Sequence, residues 1–199
     1  MRRSAIVLAA LLAAATALPS HAAPKPQISD PKGDDVGMQA GTDIVSVTWS
    51  TTGTGSGRKY VPKKLVVTMT LAGPAISEPG LTYEVQAETG PCGVVGFTAE
   101  QGSPYSVATG LNGWADFGSC LDPTGNAVEL LTIKTQGNDI VWSWSIKQLP
   151  KELKLGTAFT SFEARVDPTN PVIPFPSNAT ATTLGLIDKG TGAGPWKLG

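Results

Sequence analysis

The sequence predicts an antiparallel β-sandwich of the jelly-roll type, with nine to ten strands and one short helical turn. Three observations carry this reading. Segments that alternate apolar and polar residues recur at near-regular spacing, the pattern of strands with one face in a core. Turn formers are abundant, with 23 Gly and 16 Pro, while only 16% of residues are charged. The connections leave no room for the helical crossovers that parallel pairing demands.

The strands follow in order. Ile44–Thr51 alternates with Val45, Val47 and Trp49 on one face and Ser46, Thr48 and Ser50 on the other. Leu65–Leu71 places Leu65, Val67, Met69 and Leu71 inward. After Gly73-Pro74 and Glu78-Pro79-Gly80, a third strand carries Leu81, Tyr83, Val85 and Ala87, and Val94–Ala99 forms a fourth. Short strands are expected near Tyr105–Thr109 and Trp114–Gly118. Val128–Thr135 and Ile140–Ile146 flank Gln-Gly-Asn-Asp, a hairpin signal, with Ile140, Trp142, Trp144 and Ile146 sharing a face. Lys147–Leu155 is the helical turn, kept short by Pro150. Ala158–Val166 is expected to point Ala158, Thr160, Phe162, Ala164 and Val166 inward, and Thr183–Ile187 forms the last strand.

Residues 1–22 read as a signal peptide. Arg2 and Arg3 precede an apolar stretch, Ala5–Leu18, that is short for a bilayer span. Ser20-His21-Ala22 supplies small residues at the −3 and −1 positions, so cleavage is expected after Ala22. Residues 23–199 then form a single secreted, extracellular domain with no transmembrane segment.

Cleavage has a chemical consequence, because His21 is the only histidine of the chain. A mature protein without imidazole cannot run Ser–His–Asp or Cys–His chemistry, and it offers no histidine to zinc. Charge narrows the partners as well. Sixteen acidic residues stand against fifteen basic ones, and Arg2 and Arg3 leave with the leader. The mildly acidic remainder has no global attraction for nucleic acid. Cys92 and Cys120 are the only cysteines and, in an oxidising compartment, read as a structural disulfide.

The loop before the first long strand, ISDPKGDDVGMQAGTDI, holds Asp30, Asp34, Asp35 and Asp43. Calcium takes six to eight hard oxygen ligands, and closely spaced Asp in a Gly-containing loop can supply several of them. The spacing is not that of an EF-hand, since Lys32 and Gly33 fall where that loop needs other residues. Asp-Pro and Gly-Asp-Asp are also ordinary turn chemistry, so a calcium site and a solvated turn both account for the loop.

Asp30-x-x-Gly33-Asp34, followed by Asp43-Ile44 and an alternating strand, resembles the opening of secreted carbohydrate-binding sandwiches of the family 9 and DOMON-like type. Ile140–Ile146, then Leu149-Pro150 and Leu153–Gly156, resembles the ending of the same group. The resemblance implies a β-sandwich that binds sugars or haem, with calcium near the first strands in some members. Haem does not fit, because the mature chain offers no histidine and Met69 falls on a core face, leaving Met38. The family's sugar-binding Trp pair does not align to particular positions of this sequence.

Sugar-binding modules stack pyranose rings on exposed aromatic side chains. Trp49, Trp142 and Trp144 read inward, whereas Trp114 in GLNGWADFG and Tyr105 in GSPYSV lie between the cysteines and are the candidate ligand contacts. The basic cluster Arg58, Lys59, Lys63 and Lys64 fits either an acidic polymer or a solvated hairpin flank that protects a sheet edge. Glu84, Glu88, Glu129 and Glu163 could furnish a glycosidase carboxylate pair, but such clefts are paved with aromatic residues and this chain has 7%.

The expected function is therefore a non-catalytic, secreted module that binds a carbohydrate or cell-envelope component, with calcium as a stabilising ion. The alternative is a structural or adhesive protein that recognises a protein partner. A carboxylate glycosidase stands third.

Overall fold

The alternating segments fold into two antiparallel sheets packed face to face. The structure is a computed structural model and describes residues 24–34, 40–75, 81–101, 111–121, 128–131, 133–168 and 188–199. The first sheet runs in the order β1 (Ile28–Ser29), β2 (Ile44–Thr54), β3 (Val61–Leu71), β9 (Asp139–Ser145) and β8 (Ile133–Gln136). The second runs β11 (Asp188–Gly192), β10 (Ala158–Pro168), β4 (Leu81–Thr89), β5 (Gly93–Gln101), β6 (Leu111–Asp116) and β7 (Val128–Leu131). The two-residue strand β12 (Trp196–Lys197) also pairs with β10. The all-β sandwich is as expected, with twelve strands among the described residues where nine to ten were predicted.

Two of the extra strands, β1 and β12, are too short to carry a period-2 pattern. A third arises because Val128–Thr135 is not one strand. β7 ends at Leu131 in the second sheet and β8 begins at Ile133 in the first, so the chain crosses between sheets there. β8 and β9 form the expected hairpin, and Gly137 adopts a left-handed φ of 61° in its turn.

The core lies between the sheets. Val47 and Trp49 meet Leu65, Val67, Met69 and Leu71 across β2 and β3 and face Tyr83, Val85, Phe97 and Ala99 of the second sheet, all at most 1% exposed. The Trp49 ring packs against Phe97, Phe159, Phe162 and Trp196 at centroid distances of 5.2–6.2 Å. Trp142 Nε1 in the first sheet donates to the Thr98 carbonyl in the second at 3.0 Å, tying the layers by a buried polar contact.

Several inward assignments need correction, and bulges are the reason for most. The β2–β3 register shifts between Ile44 and Ser46, so Ile44 is fully buried and Val45 is not part of the core face. In β10 the register shifts between Thr160 and Glu163, and Ser161 adopts φ 50°. That extra residue reverses the parity: Phe159 and Phe162 are buried, while Ala158 and Thr160 are only half-buried. The strand expected at Trp114–Gly118 is Leu111–Asp116.

The helical turn expected over Lys147–Leu155 is a 3₁₀ turn at Ile146–Gln148, so Ile146 leaves the strand and only packs at the margin of the core. Leu149 before Pro150 is extended at ψ 149°, as the proline ring requires. A second 3₁₀ turn, Gly57–Lys59, lies in the basic cluster at the tip of the β2–β3 hairpin, with Arg58, Lys59, Lys63 and Lys64 all exposed. The strands expected near Tyr105–Thr109 and at Thr183–Ile187 lie outside the described residues.

Candidate metal centre and ligand groove

The N-terminal strand is held against the far edge of the second sheet by a gap in side chains. β11 reads Asp-Lys-Gly-Thr-Gly, and its two glycines face β1. A Cβ on Gly192 would stand 1.9 Å from the Gln27 carbonyl oxygen, and one on Gly190 would stand 2.7 Å from Ile28 Cγ2. Only glycine lets the two backbones approach this closely. Ile28 is thereby fully buried, and Asp30, two residues on, is carried over Gly190.

This approach gathers acidic groups from three chain segments. Carboxylate oxygens of Asp30, Asp34 and Asp188 lie within 4.8 Å of one another. That separation falls inside the diameter of a calcium shell, whose Ca–O distances are roughly 2.3–2.6 Å. Asp188 is fixed from two sides, since Oδ2 accepts the Ile44 amide of β2 and Oδ1 accepts the Lys189 amide at 2.8 Å. Asp43 stands beside the group at 3% exposed, and its Oδ2 accepts the Gly33 amide at 2.7 Å. Asp30 Oδ2 and Asp43 Oδ1 are sealed from solvent without a hydrogen-bond partner.

The electrostatics reflect this crowding. Burial, followed by repulsion from Asp188, Asp34 and Asp43, pushes the Asp30 carboxyl up to about 6. Burial also raises Asp188, opposed by the amides of Ile44 and Lys189 and assisted by Asp34 and Asp43. Like charges held together out of water favour either a proton or a hard cation.

Of the predicted metal ligands, Asp30 and Asp34 converge, Asp43 acts as a turn acceptor at the margin, and Asp35 lies outside the described residues. Asp188 is the member that sequence reasoning missed. It sits just past the expected last strand, and only the folded chain brings it to the N-terminal loop.

A second feature occupies the outer face of the second sheet. A groove of about 560 Å³ crosses β4, β5 and β6. The outward positions of these strands form cross-strand rows. One row runs Arg165, Glu84, Thr98, Trp114, and the next runs Glu163, Gln86, Gly96, Asp116. Trp114, half-buried, is the one aromatic residue of the lining among the described residues. It belongs to the groove through its place on β6, not as the loop-tip residue that the sequence suggested. Tyr105 lies outside the described residues.

The disulfide closes one end of this groove. Cys92 and Cys120 are bonded as predicted, with Cα atoms 5.1 Å apart. The Cys92 carbonyl accepts both the Ser119 amide at 2.9 Å and its hydroxyl at 3.1 Å. Gly118, at φ 61°, passes so close beneath that a Cβ would stand 2.3 Å from the same carbonyl oxygen. The bridge thus pins the β4–β5 turn to the end of β6 and holds that wall of the groove.

Charge on the face is largely paired. Glu84 accepts Arg165 Nη2 at 2.6 Å and also the Gln86 side-chain amide. Arg165 reaches Asp167 at 2.9 Å as well, and Lys189 reaches Glu163 at 2.9 Å. Glu100 and Asp116 also line the groove.

Comparisons with protein-family models, curated proteins and solved structures find no match. What the fold itself defines is an all-β, two-sheet antiparallel sandwich with a disulfide, a pairing compatible with an extracellular protein. Among the described residues no helix is long and apolar enough to cross a membrane.

Proposed function

We propose that this chain is an exported, non-catalytic β-sandwich module that binds a carbohydrate or carbohydrate-bearing envelope component in the groove over β4, β5 and β6. The observation that carries the reading is the groove itself, with Trp114 rising from a floor of Thr98, Gln86 and Gly96. An aromatic surface ringed by side-chain amide, hydroxyl and carboxylate groups offers a sugar both an apolar platform and hydrogen bonds. Calcium at Asp30, Asp34 and Asp188 braces the β11 edge of the same sheet.

Two of the carboxylates the sequence offered for a glycosidase pair, Glu84 and Glu163, are held in ion pairs. Arg165 engages Glu84 and Lys189 engages Glu163. The test is retention on a panel of insoluble polysaccharides and cell-wall preparations. Wild type is expected to be held by at least one matrix and Trp114→Ala to be released. Failure of wild type on every matrix would remove the reading.

A further inference from the structure

We infer that the ligand of this groove is cationic, an oligomer of amino sugars bearing free amines; this rests on the saccharide reading above and narrows it. Among the described residues the groove lining contains three carboxylates, Glu84, Glu100 and Asp116, and no lysine or arginine. Glu84 is spent on Arg165 and on the Gln86 amide. Glu100 and Asp116 carry the remaining charge.

Their positions relative to Trp114 are set by the strand register. Thr98 pairs with Trp114, Glu100 with Asn112 and Gly96 with Asp116. Glu100 and Asp116 therefore stand one row to either side of the Trp114 row, and rows on one face of a strand are spaced by roughly 7 Å. Asp116 Oδ1 accepts the Gly118 amide at 2.8 Å, which holds the carboxylate in place without neutralising it. Gly96 contributes no side chain between Gln86 and Asp116, so that part of the floor is open.

An extended ligand lying along β5 and β6 would rest on Trp114 and present groups to a carboxylate on each side. Protonated amines suit that arrangement. They form charge-assisted hydrogen bonds to carboxylates and are attracted to an indole ring. Uronic acids or phosphate-bearing polymers would meet like charge, and neutral sugars would stack on the tryptophan and hydrogen-bond without the charge-assisted contacts. Charges on the adjacent strands do not reverse the sign, because Arg165 and Lys189 are paired with Glu84, Asp167 and Glu163. The exposed basic cluster belongs to the β2–β3 hairpin of the other sheet.

The experiment is calorimetric titration at mildly acidic pH with length-matched oligomers of glucosamine, N-acetylglucosamine and a uronic acid, and with a linear polyamine as a charge control. The glucosamine oligomer is expected to bind about tenfold more tightly than its acetylated counterpart, the gain available from two exposed charge contacts. That preference should shrink in high salt and disappear in a Glu100→Gln, Asp116→Asn double variant, whose introduced carboxamide oxygen can still accept the Gly118 amide. Equal binding of free-amine and acetylated oligomers would overturn the cationic inference while leaving a saccharide groove in place. Polyamine binding as tight as that of the glucosamine oligomer would overturn it too, by showing charge without sugar recognition. No binding of any saccharide would remove both readings. Gly96→Val, whose Cβ meets Gln86 Cγ at 3.5 Å, the Val85 carbonyl oxygen at 3.8 Å and Glu84 Oε1 at 3.9 Å, all ordinary contacts, fills the floor and leaves the fold able to form. Undiminished binding by that variant would place the ligand elsewhere.

Discussion

The backbone amide of Ile44 donates to Oδ2 of Asp188, joining residues 144 positions apart and linking the start of β2 in the first sheet to the start of β11 in the second. One carboxylate thus ties the two sheets at their shared edge, and the same carboxylate faces Asp30 and Asp34. Whatever neutralises that group also locks the edge.

Calcium should raise the melting temperature and EDTA should lower it. A ligand that binds only the native state stabilises by about 2.7 kcal/mol at a hundredfold excess over its Kd, several degrees for a domain of this size. Asp188→Asn, which keeps an acceptor for an amide but removes the charge, should abolish most of the calcium response. Differential scanning calorimetry with and without the ion reads the effect, and identical melts would exclude the site.

The pH dependence without calcium has a definite sign. Asp30 titrates near 3.8 unfolded and about 6 folded, so the native state binds the extra proton in that window. Stability should therefore be full below pH 3.8 as far as this group is concerned and fall as pH rises through about 6. Asp30→Asn should flatten the slope, and saturating calcium should reverse it by favouring the ionised form. Denaturant titrations between those limits would measure it.

Trp114→Ala should cost binding without comparable loss of fold. The side chain is half-buried on the outer face, so its removal leaves the inter-sheet core untouched. Loss of retention with a melting temperature close to wild type is the expected result. A large drop in stability would reassign Trp114 to packing.

Gly192→Ala should be severe for so small a change. Its Cβ would overlap the Gln27 carbonyl, and backbone on both sides leaves nothing flexible to yield. A destabilisation of at least about 2 kcal/mol is expected from overpacking of this kind. Gly137→Ala is a fair control, since a Cβ there meets nothing within 4 Å and only the left-handed φ is at stake. Urea unfolding of the two variants would rank them.

Reduction of Cys92–Cys120, or Ser at both positions, should lower stability by about 3–4 kcal/mol in the chain-entropy picture for a bridge 28 residues apart. The groove should suffer with it, because the bridge anchors the turn that forms its end wall. Binding titration of the Cys92→Ser, Cys120→Ser variant at a temperature where it remains folded would separate the two effects.

Regular strands were legible because alternation is a local signal. β3 and β4 follow it without interruption, and Leu65, Val67, Met69 and Leu71 are buried as read. β2 and β10 match the expected faces only beyond a bulge near the start of each strand, where one extra residue exchanges the faces, and nothing in Ala158–Val166 announces that Ser161 will take it. The sheet change between Leu131 and Ile133 was hidden for a similar reason, since apolar residues continue up to it and resume beyond it. At the acidic centre, Asp30 and Asp34 were visible because they are neighbours in sequence. Asp188 was not, because its membership depends on two glycines of β11 that admit β1. The groove residues were in view as outward polar positions, but which strands lie side by side is a matter of sheet order.

The seating of β1 against β11 also sets the order in which the molecule can be assembled. Ile28 is buried only once Gly190 and Gly192, far along the sequence, have arrived. A chain that emerges N-terminus first, from a ribosome or through a membrane, must leave that segment waiting until β11 has been delivered. Closing such a long loop is slow, because its entropy is lost before the contact is gained. Seating of β1 is thereby coupled to delivery of β11, and earlier fragments would present an open sheet edge to whatever holds them in the interval.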